Sequence, residues 1–132
     1  MTTELFWLTL VLSAVALMPF PYVLDRLISR GLLQTMANPT PNDPPLAPWA
    51  QRAQRAHVNA IENLVVFAPA VLVVHLVEIG NHTTAFACQL YFFSRLVHYV
   101  VYTAGIPIVR TLAFFAGWVG IALLIARLLG AI

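Results

Sequence analysis

Arg52-Ala-Gln-Arg55-Ala-His-Val-Asn59-Ala-Ile-Glu62-Asn-Leu-Val-Val-Phe67-Ala-Pro-Ala-Val-Leu-Val-Val74 decides the fold. It opens with a polar stripe and runs directly into an apolar stretch. Arg55, Asn59 and Glu62 follow at i, i+4 and i+7, the spacing of one helix face. A second apolar run carries Arg95, His98 and Tyr102 at i, i+3 and i+7, again one face. Ionisable groups are costly within a bilayer, so they face a protein interior or a water-filled cavity and mark function there.

Outward from that stretch, four apolar segments emerge: about 5–27, 58–79, 83–104 and 109–129. Each is near the roughly 20 residues that cross a bilayer as a helix. The expected fold is therefore an all-α membrane protein, a single domain over 1–132 with four transmembrane helices per subunit. Of its 132 residues 61% are hydrophobic and 9% charged, with a mean hydropathy of +0.84. A soluble domain averages about 25% charged residues, so this chain could not cover a water-exposed surface.

Met1-Thr2-Thr3-Glu4 lacks the positive start of a cleaved signal peptide, so the first segment is expected to remain as a span. Pro19 and Pro21 should kink it. Asn38–Pro48 holds five of the nine prolines and is expected to be extended, with Pro48 at the first position of a helix. Trp49–His57 then reads as a polar helical extension into the second span. Asn81-His82 marks a turn, and Gly105 with Pro107 separates the last two spans. Ala113/Gly117 and Ala116/Gly120 give the small-residue spacing of close helix packing.

The formal charge of +2 is too small to suggest nucleic acid. The lone Cys88 gives neither a disulfide framework nor a metal-ligand cluster, so no metal is expected. All seven basic residues are Arg, the better side chain for bidentate capture of carboxylates and phosphates. Arg26, Arg30, Arg52, Arg55 and Arg110 flank the first and third connections, with only Arg127 near the other surface. The positive-inside bias puts those connections in the cytoplasm and both termini on the non-cytoplasmic side. At 1.5 Å per residue, Glu62 lies about 15 Å along its helix from Arg52, and Arg95 about 13 Å before the end of its span. Both stripes therefore share the cytoplasmic leaflet with Arg110.

Two readings stand for Glu62. It pairs with Arg95 as a buried structural couple, or it accepts a hydrogen bond from a ligand ammonium while Arg95 orients it. Arg110, in the first turn of its helix, adds a cation to the positive end of the dipole and so makes an anion site. Arg26, Arg30 and Arg52 serve either as topology determinants or as contacts to an anionic group. Asn59, His98 and Tyr102 have both structural and site readings. His75, Glu78 and His82 read as a solvated rim at the opposite surface. Val65, Val66, Phe92 and Phe93 are expected to close the pocket toward the outer leaflet.

Arg55-Ala-His-Val-Asn59-Ala-Ile-Glu62-Asn, with Phe67 and Pro69 following, resembles the RAxxNxxE signature of the membrane-associated proteins in eicosanoid and glutathione metabolism, the MAPEG family. Arg95-Leu-Val-His98…Tyr102 and Gly105-Ile-Pro107…Arg110-Thr111 match it at similar spacing, so the resemblance covers roughly Pro48 to Gly120. It looks like a small bacterial-type member, expected in the bacterial inner membrane.

The resemblance implies a homotrimer with glutathione as co-substrate between neighbouring subunits. Arg55, Asn59, Glu62, His98, Tyr102 and Arg110 would contact it, with Arg26 or Arg30 from the first span, while Arg52 stands near enough to join. Arg110 would be the catalytic residue, stabilising the thiolate. Val58 stands where prostaglandin-forming members carry a further arginine, and Phe114 replaces an aromatic hydroxyl seen in some members. The implied activity is that of a glutathione transferase or peroxidase acting on a lipophilic small molecule that arrives through the membrane lipids. The alternatives are a non-catalytic lipid-binding member and, last, a small multidrug exporter, which would need a carboxylate deep in the first span.

Overall fold

The computed structural model describes residues 1–132, and the chain is all-α, without strands. Six helices follow in order: α1 Thr3–Leu17, α2 Pro19–Arg30, α3 Leu32–Met36, α4 Pro48–Leu76, α5 His82–Ala104 and α6 Pro107–Leu128. Local chemistry sets most of the boundaries. The Thr2 side chain accepts from the Leu5 amide at the start of α1. Asn81 and Thr84 form a reciprocal capping box at the start of α5. Gly105, at φ 83°, ends α5 in a left-handed cap that glycine adopts at no steric cost. Pro48 and Pro107 occupy the first turns of α4 and α6, where a missing amide proton costs nothing.

The first segment is two consecutive helices that together are long and apolar enough for one span, broken where the prolines were expected to kink it. Pro19 and Pro21 remove backbone donors, and the helix breaks at Met18, which keeps helical angles. The Tyr99 hydroxyl donates to the Met18 carbonyl at 2.9 Å and ties the break to α5. α1 and α2 together form a 28-residue segment, Thr3–Arg30, longer than the expected 5–27. Three segments are long and apolar enough to cross a membrane: Thr3–Arg30, Pro48–Leu76 and Pro107–Leu128. α5 has 23 residues but is less apolar, because Gln89, Ser94, Arg95 and His98 interrupt it.

The core gathers Leu8, Val11 and Val15 of α1, Phe67, Val71 and Val74 of α4, Cys88 and Tyr91 of α5, and Ile121 and Leu124 of α6. Phe67 and Tyr91 stack with centroids 3.7 Å apart and planes 6° from parallel. The outer surface is apolar too, with Phe20, Leu72, Phe86, Leu112, Phe115 and Trp118 exposed. A soluble monomer rarely shows contiguous apolar surface on this scale; lipid is its natural solvent.

Polar bonds mark the two ends of the bundle. At one end Arg52 donates to the Thr103 carbonyl at 2.9 Å, and the Asp25 carboxylate accepts from the Ala47 amide at 3.0 Å. At the other, Thr84 donates to the buried Glu4 carboxylate at 2.6 Å, and Arg127 donates to the Ile79 carbonyl at 3.1 Å. Glu4 is therefore a structural tie between α1 and the start of α5.

α5 and α6 pack backbone to backbone at Gly120. A Cβ there would lie 2.7 Å from the Ala87 carbonyl oxygen and 3.3 Å from the Tyr91 Cβ. Ordinarily Gly to Ala within a helix gains about 1 kcal/mol. Here the obstacle is backbone that cannot swing aside, and overpacking of this kind costs about 1–3 kcal/mol. Gly120→Ala should therefore lower the thermal midpoint in detergent by several degrees. A midpoint that is unchanged or raised would show that the two helices do not meet so closely.

Candidate functional site

A cleft of about 700 Å³ opens at the end of the bundle where α2, the loop before α4, the first half of α4 and the end of α5 meet. Arg26, Arg30, Arg55, Asn59, Glu62 and Tyr102 line it, together with Gln51, Gln54, Val58, Pro45 and Leu46. Helical periodicity explains the α4 contribution. Gln51, Arg55, Val58 and Glu62 recur at i, i+4, i+7 and i+11 and form one stripe. The two glutamines were not among the expected contacts, although Gln51 continues the stripe that singled out Arg55 and Glu62.

The two α2 arginines differ in their commitments. Arg30 donates through Nε to the Pro44 carbonyl at 2.8 Å and sits 3.6 Å from Asp43 in the chain's one salt bridge. Asp43 also accepts from the Thr40 amide and hydroxyl, both at 2.9 Å. Those two bonds, then the charge of Arg30, hold its carboxyl below the ordinary value of 3.8, so it stays ionised at neutral pH. Arg30 thus pins the proline-rich loop whose Pro45 and Leu46 wall the cleft. The Arg26 Nε is buried without a partner. Of the pair, Arg26 is the one with bonding capacity to spare.

The expected coupling of Arg95 to Glu62 is not what the structure holds. Arg95 is 3% exposed and donates from Nη1 to the Asn59 side-chain oxygen and from Nη2 to the Phe114 carbonyl, each at 3.1 Å. Its guanidinium lies 5.4 Å from the Phe114 ring centroid and 5.6 Å from that of Tyr91. Gly117 makes the space, since a Cβ there would come within 2.8 Å of Nη2. Glu62 lies on the exposed face of α4, a register away from this cage. Arg95 therefore positions Asn59 rather than Glu62. The Asn59 oxygen accepts from Arg95 and, at 3.4 Å, from the Asn63 side-chain amide, which leaves the Asn59 NH2 as its remaining bonding group at the cleft wall.

Three expected contacts do not line the cleft within the chain. Arg52 caps the end of α5 through the Thr103 carbonyl, at the negative end of that helix dipole. His98 is buried edge-on against Tyr102, with centroids 5.5 Å apart. Arg110, in the first turn of α6, stacks 4.5 Å over the Tyr102 ring and so backs a cleft residue. Nor do Val65, Val66 and Phe93 close the cleft, because they lie on the exterior of the chain. Phe92 and Phe93 instead pack on Trp7.

A second groove, of about 370 Å³, starts from the same Asn59 and Glu62. It runs between α4 and α6 along Val66, Phe114, Trp118, Ile121 and Ile125. Asn59 and Glu62 thus stand where a polar cleft meets an apolar one. No group of His, Cys, Asp and Glu side chains suited to a metal ion occurs in the chain.

The fold and the cleft together define an all-helical integral membrane protein with an arginine-rich site at one end of its bundle. The MAPEG family model matches residues 5–130, nearly the whole chain, and the chain belongs to that family. No curated protein and no solved structure matches it.

Proposed function

We propose that the cleft binds glutathione and activates its thiol against a lipophilic electrophile or hydroperoxide. The observation that carries this reading is the charge balance among the lining residues. With Arg30 neutralised by Asp43, the cleft offers two cations, Arg26 and Arg55, and one acid, Glu62. Glutathione brings two carboxylates and one ammonium, the complementary set. Arginine forks suit the carboxylates, Glu62 suits the ammonium, and the Asn59 donors suit a peptide carbonyl. Membership of the MAPEG family supports the same reading.

Arg110 is the catalytic residue of this proposal. A free thiol titrates near 8.5, and a neighbouring cation at a helix N-terminus lowers that value. Arg110 stacks on Tyr102 without lining the cleft of its own chain. A homotrimer with glutathione between subunits would let it act across an interface. The thiolate attacks an electrophilic carbon, forming a C–S bond as the leaving group departs with its electron pair. With a hydroperoxide, the sulfur takes one oxygen and an alcohol leaves; a second glutathione then gives the disulfide and water. The groove past Val66 and Trp118 suits the apolar partner.

We also propose that α5 crosses the membrane as a fourth span, with Arg95 and His98 turned into the bundle, and that the cleft faces the cytoplasm as the arginine bias indicates. Cysteines placed at Asn59 and at His82, with Cys88 first replaced by Ala, check this in oriented cells. An impermeant external thiol reagent should label position 82 and miss position 59. External labelling of 59 alone would reverse the topology.

Replacing Arg110 by Ala should abolish the thiolate absorbance of bound glutathione while the trimer stays intact, and lower turnover by on the order of a hundredfold. An unchanged thiolate signal would remove Arg110 from the mechanism. No binding at millimolar glutathione, with lipid retained on purification, would favour a non-catalytic lipid-binding protein instead.

A further inference from the structure

The five-residue helix α3 is left over from the site and from the core. It buries none of its own side chains, and Leu33 and Met36 are 85% and 75% exposed. Leu32 is exposed beside them, as is Ile28 at the end of α2. Phe20 and Leu24 of α2 are exposed as well, so apolar side chains lie on the outside of both helices on either side of Gly31.

Two hydrogen bonds fix the level at which α3 lies. Gly31, at φ 78°, reverses the chain direction locally, and the Thr35 hydroxyl donates back to the Arg26 carbonyl at 3.3 Å. α3 is thereby folded against the end of α2, level with Arg26, and does not project onward. The Asp25 carboxylate accepts from the Ala47 amide, which sets Arg26 level with the start of α4 and with the exposed Trp49. Trp and Arg mark the headgroup layer. The length of the first segment agrees, because 28 residues at 1.5 Å extend about 42 Å, past a hydrocarbon core of about 30 Å.

We propose that α3 is an interfacial foot, resting in the headgroup layer with Ile28, Leu32, Leu33 and Met36 in the lipid. The occupant of this apolar face is the bilayer surface, by continuity with the exposed apolar side chains Phe20, Leu24 and Ile28 of the adjoining α2. The foot leads directly into the Ala37–Ala47 loop, which Arg30 pins and which supplies Pro45 and Leu46 to the cleft wall. Lipid under α3 therefore steadies that wall. This inference rests on the bundle's placement in a membrane and not on which ligand the cleft takes.

Depth-dependent quenching tests it. Single cysteines at Leu33, Met36 and Asn42, in full-length protein with Cys88→Ala, carry a small fluorophore in phosphatidylcholine vesicles. Nitroxides placed near the headgroup should quench positions 33 and 36 several-fold more than position 42, and aqueous iodide should show the reverse order. Equal lipid quenching at 33 and 42 would overturn the proposal. So would protection from iodide without lipid quenching, which would mean that a second copy of the chain covers the face. Hydrogen exchange tests the coupling to the cleft. A folded Leu33→Asp, Met36→Asp protein should exchange the amides of residues 38–47 several-fold faster in vesicles, and unchanged exchange would refute the steadying role.

Discussion

A guanidinium inside an apolar bundle must find its acceptors there, and Arg95 finds them on two other helices. It draws the Asn59 side chain from α4 and the Phe114 carbonyl from α6, and its plane lies near the faces of Tyr91 and Phe114. No carboxylate neutralises it. Burying an unpaired charge is expensive, and removing any of these acceptors would leave that cost uncompensated. The Asn59 side chain and the space at Gly117 accommodate this one cation, whose Nε stays buried without a partner. The cleft adjoins it in turn, because the Asn59 side chain that Arg95 holds is one of the lining residues.

The second constraint is solvent. Lipid rewards apolar exteriors and penalises unpaired polar groups, so the polar residues fall into layers at the bundle ends. One layer is structural: Glu4 with Thr84, and Arg127 with the Ile79 carbonyl. The other layer carries the cleft, and its polar groups exceed what the fold uses. Arg26, Arg55 and Glu62 keep bonding capacity that nothing in the chain consumes. This spare capacity is what the proposed ligand would complete.

Much of this was legible in the sequence. The 3.6-residue period placed Arg55, Asn59 and Glu62 on one face, and that face does line the cleft. Proline and glycine positions gave the breaks at Met18 and Gly105. What could not be read is which acceptor each arginine chooses. Asn59 and Glu62 are less than one turn apart, and Arg95 distinguishes them only through the Phe114 carbonyl and the space at Gly117. Arg26 and Arg30 share a helix face one turn apart. Asp43, in a loop without periodicity, decides between them by engaging Arg30. Arg52, three residues before Arg55, is held at the end of α5 by the Thr103 carbonyl and does not line the cleft. Periodicity reports faces; partners are settled by packing.

The central claim is that two free arginines and one free glutamate form a site for a zwitterionic peptide with two carboxylates. An experimental density map of the purified protein in lipid with glutathione tests it most directly. The account predicts ligand density in the cleft, with its carboxylates at Arg26 and Arg55, its ammonium at Glu62 and its sulfur toward Arg110. Glutathione bound elsewhere, or a cleft that stays empty at saturating glutathione, would contradict it.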